Sequence, residues 1–99
     1  MDNSFKIEDH VNALKFRLAL CERTLTSTNM ILAYTKLEDV FVYYYKNEMI
    51  KDLTDLEKQI TKFDKMKNLA LGNKNLGERK VAFSKSIELM NKILGGILL

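Results

Sequence analysis

The chain has 99 residues, of which 46 % are hydrophobic and 29 % charged, with four glycines and no proline. This composition is typical of one folded, helix-rich domain and argues against a disordered chain. No segment approaches the roughly 20 apolar residues of a membrane span. The net charge is +3, and lysine outnumbers arginine thirteen to three, which disfavours base-specific DNA binding because arginine is the residue that pairs with guanine edges.

The N-terminal sequence MDNSFKIEDH carries acids where a signal peptide needs a basic region followed by an apolar one. Cys21 is the single cysteine, so no intramolecular disulfide can form, and the count suits a reducing compartment. We therefore expect a cytoplasmic protein.

The first helix is predicted over residues 5–25, beginning after Asn3 or Ser4, either of which can cap free amides of the first turn. Ala13, Phe16 and Leu20 widen its apolar stripe. The stripe itself repeats at spacings of four and three, at Ile7, Val11, Leu14, Leu18, Cys21 and Leu25. Hydroxyl and amide side chains over residues 24–29 interrupt the pattern and predict a turn.

The second helix is predicted over residues 29–49 and carries the densest apolar run of the chain, LEDVFVYYYK over residues 37–46. Its predicted core positions are Met30, Tyr34, Leu37, Phe41 and Tyr44. At about 100° per residue, Val42, Tyr45 and Met49 form a second apolar stripe beside this one, and Val40 and Tyr43 flank the other side. One helix face cannot bury all of these, so either the helix is central or its second stripe contacts another protein.

The third helix is predicted over residues 54–71, after a tight turn at 50–53. Thr54 and Glu57 fit a capping box. Its apolar positions are Leu53, Leu56, Ile60, Phe63, Met66 and Ala70, and the row opposite, Lys51, Asp55, Lys58, Lys62 and Lys65, is predicted to be a solvated face. Because no glycine or proline enforces the turn, one continuous helix over residues 29–71 is the alternative.

The segment GNKNLG, residues 72–77, is the clearest predicted loop, since glycine and asparagine tolerate the left-handed conformation that ends helices. The fourth helix is predicted over residues 78–95, with Glu78 in its first turn. Its core positions are Phe83, Ile87, Met90, Leu94 and Ile97. The apolar C-terminal residues Ile97, Leu98 and Leu99 are expected to pack on the bundle, with packing on a partner or weak contact with a membrane surface as the alternatives.

Four helices of similar length with short connections predict a single all-α domain over residues 1–99, a small antiparallel bundle. If the second and third helices are continuous, the prediction becomes three helices with a long central helix, closed by dimerisation. The seam period near 3.5 residues agrees with shallow, left-handed helix packing.

Familiar catalytic and metal-binding patterns are missing from the sequence. His10 is the single histidine, and no cysteine cluster, EF-hand loop or phosphate-binding glycine motif occurs. The carboxylate pairs Glu8–Asp9 and Glu38–Asp39 are adjacent on a helix and point about 100° apart, so they do not share one proton. We expect no enzyme, no cofactor and no metal site.

Two functions fit the sequence. The first is a non-enzymatic interaction module or small regulatory or adaptor protein. It would self-associate as a dimer or bind a protein partner through Val42, Tyr43, Tyr45 and Met49, since aromatic side chains dominate binding hot spots. The alternative is a basic nucleic-acid-associated accessory protein of a virus or mobile element. It would use the +3 excess of residues 72–99, carried on Lys74, Arg79, Lys80, Lys85 and Lys92.

Overall fold

The computed structural model describes residues 6–47 and 53–96, and the side chains of 6–47 and 56–96. It contains four helices, α1 (Ile7–Arg23), α2 (Ser27–Lys46), α3 (Leu53–Gly72) and α4 (Leu76–Ile93), and no strand in this part of the chain. The all-α prediction with four helices is confirmed, and the observed helix ends differ from the predicted ones by at most three residues. α2 and α3 are separate helices, so the alternative of one continuous helix is wrong.

The predicted turn at 24–29 is shorter than expected, because α2 begins at Ser27. Thr26 adopts an extended backbone, and its side chain accepts a hydrogen bond of 3.1 Å from the Asn29 amide. The Asn29 side chain donates to the Thr24 carbonyl at 2.8 Å. These two bonds satisfy polar groups at the helix junction and fix the sharp reversal between α1 and α2.

The predicted loop over residues 72–77 is also shorter, since Gly72 belongs to α3 and Gly77 to α4. Asn75 starts α4 by accepting a hydrogen bond of 3.0 Å from the Glu78 amide, and its own amide donates to the Asn73 side chain at 2.9 Å. The loop therefore needs no left-handed glycine. Among the described glycines, positive φ occurs at Gly95 and Gly96, just after α4.

Gly95 and Gly96 end α4 in a Schellman motif. The Gly96 amide donates to the Asn91 carbonyl at 2.8 Å, and the Gly95 amide donates to the Lys92 carbonyl at 3.1 Å. Gly95 has φ of 75°, a conformation that is strained for residues with a Cβ. The glycine pair is therefore a helix stop.

The helices pair as two hairpins, α1 with α2 and α3 with α4, whose backbones run close together. α2 and α3 approach closely over only a short stretch, and α1 and α4 are not closely packed. Side chains join the hairpins instead. Tyr34 of α2 lies edge-on to Phe63 of α3 and to Phe83 of α4, with ring centroids 6.0 and 5.5 Å away.

The core is formed mainly by the predicted apolar stripes. Its largest fully buried side chains are Tyr34, Leu14, Met30, Leu37 and Val40. Ala33 and Val40 join the core of α2, whereas Phe41 and Tyr44 are only partly buried, so the buried face of α2 is rotated from the predicted one. Phe16 was predicted to widen the stripe of α1, but it is 64 % exposed because it lies on the opposite side of the helix from Leu14.

Some predictions concern residues outside the described ranges. The turn at 50–53 lies almost wholly there, as do Met49 and the C-terminal residues 97–99. The capping box depends on the Thr54 side chain, which is also outside the described part of the molecule.

Candidate functional site

The most prominent exposed apolar surface is a stripe along α2 that extends the predicted second stripe backwards from Val42. From here on, the second stripe means the described residues Ile31, Thr35, Glu38, Val42 and Tyr45. These positions are spaced by four, three, four and three residues, so they share one face of the helix. Ile31, Val42 and Tyr45 are 52 %, 44 % and 47 % exposed. Apolar side chains of this size would be buried if they belonged to the core of the chain. Because these three are not, the stripe presents apolar area to solvent.

The two polar members of the second stripe have partners within the chain. Thr35 donates its hydroxyl proton to the Ile31 carbonyl at 2.8 Å. Glu38 accepts a hydrogen bond of 2.6 Å from the Lys67 ammonium group of α3, which also lies 5.7 Å from the centre of the Tyr34 ring. If a partner covered the stripe, both the Thr35 hydroxyl and the Glu38 carboxylate would therefore keep a hydrogen-bond partner.

The Tyr45 ring is stacked on Phe41, with centroids 6.1 Å apart and planes inclined by 22°. Phe41 is partly buried and packed against the core. The stacking restricts the Tyr45 ring while nearly half of the side chain remains in contact with solvent. A partner that covers Tyr45 would therefore cost less side-chain conformational entropy than one that covers a freely rotating ring.

The four predicted interface residues do not share one surface in the described part of the chain. Val42 and Tyr45 lie on the second stripe. Tyr43 is half-buried, lies edge-on to Tyr44 with centroids 5.6 Å apart, and points to another side of α2. Met49 lies outside the described residues. Ile31 was missed, although extending the spacing backwards from Val42 through Glu38 and Thr35 would have found it.

The five basic residues predicted to contact nucleic acid do not converge. Lys80 lines a groove towards α1, whereas Lys85 lines the groove between α3 and α4. Lys74 is exposed in the loop after α3, and Lys92 is exposed in the last turn of α4. Lys85 instead lines the same groove as Lys62 and Lys65 of α3, two lysines that were predicted to form a solvated face.

The Arg79 side chain makes hydrogen bonds within the fold. Its guanidinium donates to the Asn73 carbonyl from Nε at 3.1 Å and from Nη2 at 2.9 Å, and from Nη1 to the Leu25 carbonyl at 3.1 Å. Asn73 and Leu25 belong to the two short connections of the hairpins. Arg79 therefore ties one connection to the other, and its planar fork has few donors left for a phosphate.

Between α1 and α4 lies a shallow apolar groove of about 410 Å³, lined by Leu18, Cys21, Leu25, Phe83 and Ile87.

Comparisons of the chain with protein-family models, with curated proteins and with solved structures find no match. The function must therefore be inferred from the chemistry of these surfaces alone.

The groove between α1 and α4 carries no reactive thiol. Cys21 is 2 % exposed, and burial raises the pKa of its thiol to about 11. A thiol with such a pKa is protonated at neutral pH and is neither a good nucleophile nor a ready metal ligand. The described residues also include no cluster of three or more His, Cys, Asp or Glu side chains that could hold a metal ion.

Within residues 6–47 and 53–96, no helix combines the length and apolar character that crossing a membrane requires. The exposed apolar residues are instead spread singly or in stripes over amphipathic helices. The second stripe of α2 is the surface on which the most exposed apolar side chains share one helix face.

Proposed function

We propose that this chain is a non-enzymatic interaction module that self-associates through the second stripe of α2. The observation that carries the proposal is the heptad-like spacing of Ile31, Val42 and Tyr45, all more than two-fifths exposed. A regular stripe of spacing four and three is the pattern by which two helices pack on each other. Tyrosine is also enriched among the residues that dominate binding energy.

The charge of α2 suits contact with a second copy. Within Ser27–Lys46, Lys36 and Lys46 balance Glu38 and Asp39, so two such helices do not repel each other by net charge. In an antiparallel twofold arrangement centred on Glu38, Ile31 of each copy faces Tyr45 of the other. The two Glu38 carboxylates then approach each other, and each has Lys67 as a counter-charge.

Dimerisation would also add stability that a chain of this size has difficulty obtaining alone. A domain of this length buries only about two-thirds of its unfolded surface and is therefore marginally stable alone. Covering the second stripe adds buried apolar area without adding residues. We place the module in the cytoplasm, where the single, buried Cys21 stays reduced.

The test is absolute mass by light scattering after size exclusion, at low and high salt. The wild-type chain is expected at twice the mass of one chain, with little salt dependence because the contact is mainly apolar. Tyr45→Glu places a charge against the apolar Ile31 of the other copy and should raise the dimer dissociation constant by about thirtyfold or more. Circular dichroism should show the variant to be as helical as the wild type.

Leu32→Glu is the matched control, because Leu32 is also an exposed apolar residue of α2 but lies about 100° around the helix from Ile31. It should leave the mass unchanged. A monomeric wild-type chain at high concentration would contradict self-association, and equal effects of Tyr45→Glu and Leu32→Glu would contradict the choice of face.

A further inference from the structure

A second surface, independent of α2, runs along the junction of α3 and α4. It consists of two adjoining depressions of about 360 and 410 Å³, and Met66 and Lys85 line both of them. They therefore form one continuous groove. Leu69 and Val81 line it and are 47 % and 59 % exposed, although their helices pack closely together.

Positive charge is concentrated at one end of this groove. Lys62, Lys65 and Lys85 line that end, with Glu88 as the one carboxylate beside them. The ion pairs within the described residues are Lys36–Asp39 and Lys67–Glu38, so none of the described carboxylates lies within 4.0 Å of these three lysines. Their mutual repulsion would be relieved by a ligand that brings negative charge.

We propose that this groove binds an acidic amphipathic helix of another protein. The apolar side chains of such a helix would lie on Met66, Leu69, Val81 and Leu89, and its carboxylates would reach Lys62, Lys65 and Lys85. From Lys62 to Asn73 the groove extends roughly 16 Å along α3, which is the length of about eleven helical residues. Anchors at i, i+3 or i+4, and i+7 fit within that length.

The composition of the groove favours this occupant over two others. A second copy of the chain has a net charge of +3 and offers no excess of negative charge to the lysines. A nucleic acid is disfavoured because the lining of the groove contains neither an arginine to pair with phosphates and bases nor an aromatic ring on which a base could stack.

The experiment is a selection from a displayed library of helical peptides of about sixteen residues, with random side chains on all faces, against the full wild-type chain. The enriched peptides should combine apolar residues at i, i+3 or i+4, and i+7 with an excess of Asp and Glu. A synthetic copy of one enriched peptide should bind more weakly as salt increases. Its contacts, followed by amide NMR shifts, should map to Met66, Leu69, Val81 and Leu89.

Charge reversal then tests the lysines. The double variant Lys62→Glu/Lys85→Glu should lose about tenfold or more in affinity for that peptide. The control Lys15→Glu/Lys80→Glu changes the net charge of the chain equally but alters exposed lysines outside this groove, and it should keep most of the affinity. Tyr45→Glu should have no effect, since this groove does not depend on self-association through α2.

Three results would overturn the proposal. The library could yield no enriched peptide, or enriched peptides without an acidic excess. The two double variants could weaken binding equally, which would reduce the effect to net charge. Single-stranded DNA could displace the peptide and bind more tightly, in which case the groove is a nucleic-acid site.

Discussion

Tyr34 of α2 and Ser86 of α4 share a buried hydrogen bond of 2.6 Å that joins the two hairpins. The Ser86 hydroxyl also lies 2.6 Å from the Phe83 carbonyl, which can only accept. Ser86 has one proton and gives it to that carbonyl, so Tyr34 must be the donor to Ser86. Within the described part of the chain, Ser86 is the one buried polar side chain apart from tyrosine, and its hydrogen-bonding capacity is used in this relay.

Removing the acceptor should cost more than removing the donor. Ser86→Ala leaves the buried Tyr34 hydroxyl without an acceptor and should lower the free energy of unfolding by about 1–3 kcal/mol. Tyr34→Phe removes the hydroxyl itself while Ser86 keeps its bond to Phe83, so the cost should be about 0.5–1.5 kcal/mol. Urea unfolding followed by circular dichroism measures both values.

The double variant Tyr34→Phe/Ser86→Ala completes the cycle. It has no stranded hydroxyl, so its loss should be smaller than the sum of the two single losses. Strict additivity of the three values would mean that the two hydroxyls do not act as a bonded pair. An unchanged stability of Ser86→Ala would show that the Tyr34 hydroxyl finds water instead.

Stability should fall at alkaline pH, beginning with Cys21. Burial raises the pKa of its thiol from 9.0 to about 11 and that of the Tyr34 hydroxyl from 10.0 to about 12. The folded chain therefore holds both protons more tightly than the unfolded chain does. Their contribution to the free energy of unfolding should be fully retained below pH 9. It should then decrease by about 1.4 kcal/mol per pH unit for each group, between pH 9 and pH 11 for Cys21 and between pH 10 and pH 12 for Tyr34.

Cys21→Ala isolates the thiol. The variant should be less stable at neutral pH because a buried atom is lost, but its stability should stay level from pH 9 to pH 10, where only the wild type loses a proton from an unfolded-state thiol. The difference between the two pH profiles cancels the lysines common to both. Parallel profiles over this window would show that the thiol titrates normally in the folded chain.

Much of the architecture could be predicted because it depends on local patterns. Apolar spacings identified Leu14, Met30, Phe63 and Ile87 as core residues, and capping side chains marked the turns. The exact turn geometry could not be predicted, because Thr26 and Asn75 act through bonds to amides three residues onward and shorten the loops. Left-handed glycines were expected before α4 but occur after it, where Gly95 ends the helix.

The surfaces were harder to predict because they depend on which helices meet. The sequence showed that α2 has too many apolar residues, but the rotation of the helix in the core decides that Val40 is buried while Val42 is exposed. Lys62 and Lys65 were interpreted as a solvated row on their own helix. Only the packing of α4 beside α3 brings Lys85 to them, and no periodicity within one helix contains that information.

Leu14 and Phe16 offer a direct test of the orientation of α1. Leu14 is fully buried, and Leu14→Ala should lower the free energy of unfolding by about 2–5 kcal/mol. Phe16, two residues further, is 64 % exposed, so Phe16→Gln should change stability by no more than about 0.5 kcal/mol. Thermal and urea unfolding of both variants checks the pair. A large loss from Phe16→Gln would mean that this face of α1 is covered in solution.

Arg79 should matter to stability through its shape rather than its charge. Arg79→Lys keeps the positive charge but cannot donate to the Asn73 and Leu25 carbonyls at once, so the link between the two hairpin connections is lost. We expect a loss of about 1.5–3 kcal/mol, the range for hydrogen bonds made by a charged group. The neighbouring Lys80 is exposed and makes no ion pair among the described residues, so Lys80→Arg is the control and should be neutral.

Hydrogen exchange distinguishes this structural role of Arg79 from a ligand-binding one. If Arg79 ties the connections together, amides near Thr24 and Asn75 should exchange faster in Arg79→Lys, while amides in the middle of α2 and α3 should be affected only through global stability. If Arg79 instead serves a phosphate ligand, Arg79→Lys should fold with unchanged exchange and unchanged stability. Faster exchange at both connections at once, although they are far apart in sequence, is the result that the three hydrogen bonds of Arg79 require.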